Sequence, residues 1–150
     1  MDETDSQRTA EILLEIVPKV NSLLRSLVFG RTQQSLSIPL YRVLTVLTDV
    51  GPLPMSVLAQ HEGVKGPTMS RFIDSLAQKK LVERGGASDD RRIILVSLTP
   101  KGSATVASVR KEVVRELSSL LKAWPAGDLS QVEAAMVLLR QHQLYPGRFS

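Results

Sequence analysis

The stretch SVLAQHEGVKGPTMSRFIDSLAQKK, running from Ser56 to Lys80, decides the fold. Val57, Leu58 and Ala59 give a short helical pattern over Ser56–His61, and Glu62-Gly63-Val64 reads as its stop and turn. Gly66-Pro67 then reopens a helix. Proline suits that first turn, where a missing N–H costs least. The helix continues to about Lys80, with Met69, Phe72, Ile73 and Leu76 as its inner face. Thr68, Ser70, Arg71 and Ser75 are left outward. A short helix, a tight glycine-containing turn and a longer polar-faced helix make a helix-turn-helix.

Downstream, Leu81–Arg84 is a short strand, Gly85–Asp90 a turn by composition, and Arg92–Leu98 a second strand. The two strands form a β-hairpin with Asp and Arg residues at its tip. Thr99-Pro100-Lys101-Gly102 is a helix start, with Thr99 as cap and Pro100 in the first position. The helix it opens should run to about Ala123, with Val106, Val109, Val113, Leu117, Leu120 and Leu121 on its apolar side. Trp124–Gly127 ends it. Ser130-Gln131-Val132-Glu133 reads as the capping box of a last helix that fades before Pro146.

Upstream, Pro39 opens a helix carrying Leu40, Val43, Leu44 and Leu47 to about Asp49, and Val50–Pro54 breaks the chain. The first segment, 6–29, bears a broad apolar stripe at spacings of three and four. Pro18 lies inside it and should kink the helix or split it in two.

With 150 residues the chain is one domain, 1–150; 43% hydrophobic and 23% charged residues mark it as folded, and 4% aromatics leave an aliphatic core. The expected class is mostly α (α+β): a winged helix-turn-helix over 38–99, flanked by helices at 6–29 and 100–145. Those terminal helices are more apolar than a small monomer requires, which fits an intertwined homodimer. Cysteine is absent, excluding disulfides, thiolate chemistry and Cys-type zinc sites. His61 and His142 lie in different helices without a second ligand at metal spacing, and no phosphate-cradling loop or nucleophile arrangement is visible. No enzyme activity, metal or cofactor is expected. The acidic start lacks a signal-peptide pattern and the longest apolar runs are far too short to span a bilayer, so the expectation is a cytoplasmic protein without a membrane partner.

A net charge of +4 and a pI near 9.7 lean toward a phosphate-rich partner. The major groove of DNA admits a helix and offers hydrogen-bond patterns on base edges. Thr68 can bond a base or set its methyl on thymine; Ser70 and Arg71 can reach a base or a phosphate; Lys65 and Ser56 are candidates for the DNA backbone. At the hairpin tip an arginine, Arg91 or Arg92, can enter the narrow minor groove, and a neighbouring carboxylate such as Asp90 can hold the guanidinium in one orientation. Each feature has a plainer reading beside it. Ser and Thr near a helix start can simply cap it, and charges at a turn can simply keep it soluble.

The run Asp90-Arg91-Arg92-Ile93-Ile94-Leu95-Val96-Ser97-Leu98-Thr99-Pro100-Lys101-Gly102 resembles the wing and following helix start of MarR-type regulators, with D-x-R, a few apolar residues, then L-T-x-x-G. Leu58-Ala59, the Thr68–Leu76 helix and Leu81–Arg84 fall at that family's spacing, and the resemblance covers nearly the whole chain. It implies a homodimer whose first and last two helices interlock. Each subunit would offer one winged helix-turn-helix to half of a pseudo-palindromic operator in double-stranded DNA. Asp90 and Arg92 would be the wing pair. Many members are repressors released by small phenolic or other aromatic anions. A pocket for such an effector would lie between the Tyr41–Arg42 region, the first helix and the helix starting at Lys101. Arg42 could pair with a ligand carboxylate or equally bridge to an acidic neighbour. Two features depart from the common pattern: Pro18 in the first helix, and the lack of cysteine, which rules out thiol-based oxidant sensing. The alternative is a winged-helix module that binds protein. Such a module has no need of an Arg92 oriented by Asp90, or of polar Thr68, Ser70 and Arg71 on an exposed helix face.

Overall fold

The computed structural model describes residues 3–29, 36–85 and 92–142. Its elements are α1 (Glu3–Phe29), α2 (Ile38–Val50), β1 (Leu53–Pro54), α3 (Met55–Glu62), α4 (Gly66–Gln78), β2 (Val82–Arg84), β3 (Leu95–Leu98), α5 (Pro100–Leu121) and α6 (Ala126–Gln141). The mostly helical fold with a hairpin therefore stands as expected. The hairpin tip, including Asp90 and Arg91, lies outside the described residues.

Helices α2, α3 and α4 close around one aliphatic core. Leu40, Val43, Leu44 and Leu47 of α2 meet Leu58 and Ala59 of α3 and Met69, Ile73 and Leu76 of α4. Phe72 is only partly buried against that core rather than within it. Val82 and Val96 close it from the sheet, Leu81 from the turn ahead of β2, and Val106 from α5.

The sheet has three antiparallel strands in the order β1-β3-β2. Val82, Glu83 and Arg84 face Leu98, Ser97 and Val96. Leu53 and Pro54 face Val96 and Leu95 on the other side. That third strand is a departure from the sequence reading, which took Val50–Pro54 as a break. Proline is compatible with it because β1 is an edge, where one missing donor leaves no ladder bond unmade. The Met55 N–H continues the contact to the Ile94 carbonyl at 3.0 Å.

Two further expectations are corrected. Of the two courses expected for Pro18, a kink or a split, the split does not occur: α1 is one helix of 27 residues. Every described side chain around Pro18 is exposed, so the carbonyl four residues earlier can turn to water instead of breaking the helix. The last helix begins at Ala126 with Pro125 before it, not at a capping box. Ser130 lies inside the helix and its hydroxyl donates back to the Ala126 carbonyl at 3.1 Å.

Two helix ends use the same left-handed stop with different residues. After α3, Gly63 takes φ 64° and the Val64 N–H reaches the Ala59 carbonyl at 3.0 Å. After α4, Lys80 takes φ 59° and the Leu81 N–H reaches the Leu76 carbonyl at 2.9 Å. A side chain in this region costs about 1–2 kcal/mol, while glycine loses about 0.5–1 kcal/mol more backbone entropy on folding. Lys80→Gly should therefore stabilise the protein by about 0.5–1 kcal/mol, a rise of a few degrees in melting temperature. A thermal melt in which Tm falls would contradict this.

Outside the core the helices stay apolar but uncovered. Leu14 is 78% exposed on α1, and Met136 and Leu138 are 56% and 54% exposed on α6. α6 buries no residue at all. Among the described residues no helix is long and apolar enough to cross a membrane.

Candidate nucleic-acid interface

α4 owes its polar outer face to its own periodicity. Met69, Ile73 and Leu76 are fully buried and fix which way the helix is turned. At about 100° per residue, Arg71 falls almost opposite that apolar side. Arg71 is exposed, while Thr68 and Ser70 are half-buried. The same rotation puts Thr68 and Ser70 on opposite flanks of the crest that Arg71 occupies. The three residues thus share the outer half of α4 without forming one stripe.

Lys65 is the exposed residue before α4, in extended backbone with φ −76° and ψ 155°. Its carbonyl accepts the N–H groups of Thr68 and Met69 at 3.0 and 3.1 Å, starting the helix. Pro67 occupies the first turn, as its sequence position suggests. Neither Lys65 nor Ser56 caps a helix through its side chain. Ser56 is exposed in the first turn of α3. Arg92 is exposed in a turn three residues ahead of β3, which begins at Leu95 and not at Arg92 as the sequence reading expected.

A contact that the sequence did not signal joins these parts. Arg84, the last residue of β2, donates through Nη2 to the Asp74 carboxylate and, at 3.5 Å, to the Ser70 carbonyl. Both acceptors belong to α4. Nothing in a ten-residue separation between helix and strand announces such a pair.

The junction behind the wing explains the spacing of Thr99 and Gly102. The Thr99 side chain accepts the Gly102 N–H at 3.0 Å and donates to the Lys80 carbonyl at 2.6 Å. Its own N–H reaches the Leu81 carbonyl at 3.1 Å. The start of α5 is thereby pressed onto the turn that follows α4.

Arg42 takes the intramolecular course. Its Nε lies 3.0 Å from Glu62 Oε2, and the other oxygen of that carboxylate is 3.1 Å from His61 Nδ1. The Glu62 side chain is only 5% exposed, so two neighbours hold a buried charge. This trio ties α2 to α3 and lines an open cleft of about 260 Å³ with Thr45, Val46, Asp49 and Val50. Burial pushes the Tyr41 phenol above the usual range; Arg110 of α5 opposes this and Asp49 adds to it. Tyr41 therefore stays a neutral hydrogen-bonding group. Among the described residues no group of three or more His, Asp or Glu is placed to hold a metal.

Helix, turn, helix and a two-stranded wing over one core define a winged helix-turn-helix protein. Residues 36–94 match the MarR family model. An HTH-type transcriptional regulator of Mycobacterium leprae is 31% identical over 111 residues, 74% of this chain and 75% of its own length. One from Mycobacterium tuberculosis is 30% identical over the same shares. Among solved structures, a MarR family protein from Bacillus stearothermophilus superposes with a TM-score of 0.75 at 19% identity, covering 97% of this chain and 99% of that one. Wild-type MarR from E. coli does so with a TM-score of 0.73 at 22% identity, covering 85% and 96%. The chain belongs to the MarR family of HTH-type transcriptional regulators.

Proposed function

We propose that the protein regulates transcription by binding a pseudo-palindromic operator as a homodimer, one winged helix-turn-helix per half-site, and that it acts as a repressor. The observation that carries this reading is the orientation of α4. Its apolar side is locked into the core by Met69, Ile73 and Leu76, which leaves Arg71 on the crest with Thr68 and Ser70 beside it. On this reading Thr68, Ser70 and Arg71 meet base edges or phosphates in the major groove. Lys65 and Ser56 meet the backbone at the two helix starts. Arg92, with Asp90 and Arg91 at the wing, enters the adjacent minor groove.

Dimerisation through α1, α5 and α6 accounts for apolar side chains that one chain leaves in water. Ile12, Val17 and Val20 on α1, Val114 and Leu120 on α5, and Val132, Met136 and Leu138 on α6 are each more than 40% exposed. A second chain is the natural cover for stripes on terminal helices. A small aromatic anion remains the proposed class of effector. Arg42 is a poor anchor for it, because Glu62 already engages that guanidinium. Tyr41, neutral and beside α5, is the better candidate of the two.

Selection of bound duplexes from a random pool tests the whole reading. The expected product is a family of sites with two inverted half-sites, their centres about one helical turn apart. Recovery of no sequence preference would overturn operator binding. A single unrepeated half-site would overturn the dimer.

A further inference from the structure

We propose that Arg84 is a positioning residue, a strut that fixes the wing relative to α4 so that both can engage DNA at once. The inference rests on the DNA-binding reading above. Arg84 stands at the last rung of the β2–β3 ladder, opposite Val96. Beyond it only the Gly85 N–H bond to the Leu95 carbonyl, 2.9 Å, joins the two strands among the described residues. The wing therefore leaves the body at Arg84. A small rotation there carries Arg92, three residues ahead of β3, with it.

At that point the Arg84 guanidinium reaches across to α4 and engages both the Asp74 carboxylate and the Ser70 carbonyl. Two acceptors one helical turn apart define an angle as well as a distance. Both bonds leave one nitrogen, Nη2, of a planar and weakly hydrated guanidinium, whereas a lysine ammonium is a compact, strongly hydrated point charge on a more flexible stem. The pair is also open to solvent, with side chains 37% and 51% exposed. Exposed ion pairs add little to stability, so the fold does not need this contact. What the contact does is link, by side chain and at the root of the wing, the two parts that must fit adjacent grooves. It also neutralises Asp74, a carboxylate on the outer half of the helix that would otherwise repel phosphate.

The test uses the full chain and a duplex selected as above, with Arg84→Ala, Arg84→Lys, Arg92→Ala and the double variant Arg84→Ala/Arg92→Ala. Arg84→Ala should weaken binding roughly tenfold, and lysine should not restore it. With Arg92 already removed, the further Arg84→Ala change should cost no more than about twofold, because the side chain that enters the minor groove is no longer there to misplace. Equal losses in the two backgrounds, with the salt dependence falling by a further unit per subunit, would mean direct phosphate contact and overturn the proposal. So would a loss that a lowered Tm fully explains. Hydrogen exchange on the DNA-free protein separates this claim from the DNA reading. Arg84→Ala should speed exchange at Gly85 and leave Ile73 and Leu76 unchanged. Unchanged exchange at Gly85 would sink the strut even if the wing binds DNA, and faster exchange would support it even if Arg92→Ala proves silent on DNA.

Discussion

Gly102→Ala should destabilise the protein by about 3 kcal/mol, the upper end of what overpacking usually costs. A Cβ built on Gly102 would sit 2.0 Å from the Leu81 carbonyl oxygen and 3.1 Å from a Leu98 methyl. The first contact is with backbone, which cannot swing aside as a side chain would. That carbonyl is held in place, because it accepts the Thr99 N–H at 3.1 Å. Relief would require α5 to lift from the turn after α4, breaking the bonds from Thr99 to Lys80 and from Lys101 Nζ to the Lys79 carbonyl. For a chain of this length the expected fall in Tm is roughly 6–12 °C. Gly127→Ala is the control, since nothing lies within 4 Å of its added carbon. A Gly102→Ala melt within two degrees of the parent would show that the close approach does not exist.

The same junction shows what a sequence can and cannot disclose. The spacing of Thr99 and Gly102 was legible because both requirements are local: a cap three residues before the N–H it accepts, and a helix start marked by Pro100. The inner face of α4 was legible because one period, repeated, decides it. What escaped the sequence was either too short or too distant to leave a pattern. β1 has two residues and no alternation to detect, and its identity comes from Leu95 and Val96 some forty positions on. Ser130-Gln131-Val132-Glu133 misled in the opposite way. The residues of a capping box were present, but the helix had already started at Ala126, four residues earlier, behind Pro125. The outward side chains Thr68, Ser70 and Arg71 could be listed from spacing as one face, and the buried Met69, Ile73 and Leu76 place Arg71 on the crest with Thr68 and Ser70 on its two flanks. Arg84 reads as an ordinary strand residue. Only the packing of β2 against α4 gives its guanidinium Asp74 as a partner.

On the proposed DNA reading, Arg92→Ala should weaken operator binding far more than its effect on folding would suggest. Arg92 is exposed beyond the end of β3, and surface substitutions of that kind change stability by no more than about 0.5 kcal/mol. Its loss on DNA is larger because the minor groove concentrates negative potential on an inserted guanidinium. A specific arginine contact is worth about 1–3 kcal/mol, and a symmetric dimer makes it twice. The combined loss is then at least about 2 kcal/mol, or roughly thirtyfold in affinity at fixed salt. Removing two cations from the interface should also flatten the plot of log K against log salt by about two units. Arg71→Ala gives the contrast. If Arg71 reads a base from the crest of α4, its removal should relax sequence preference at one position of each half-site as well as lower affinity. A wing arginine that reads groove width should lower affinity while leaving base preference in the major groove intact. Competition gel shifts with single-base operator variants distinguish the two. Operator affinity unchanged by Arg92→Ala would remove the wing from the interface and leave α4 to carry recognition alone.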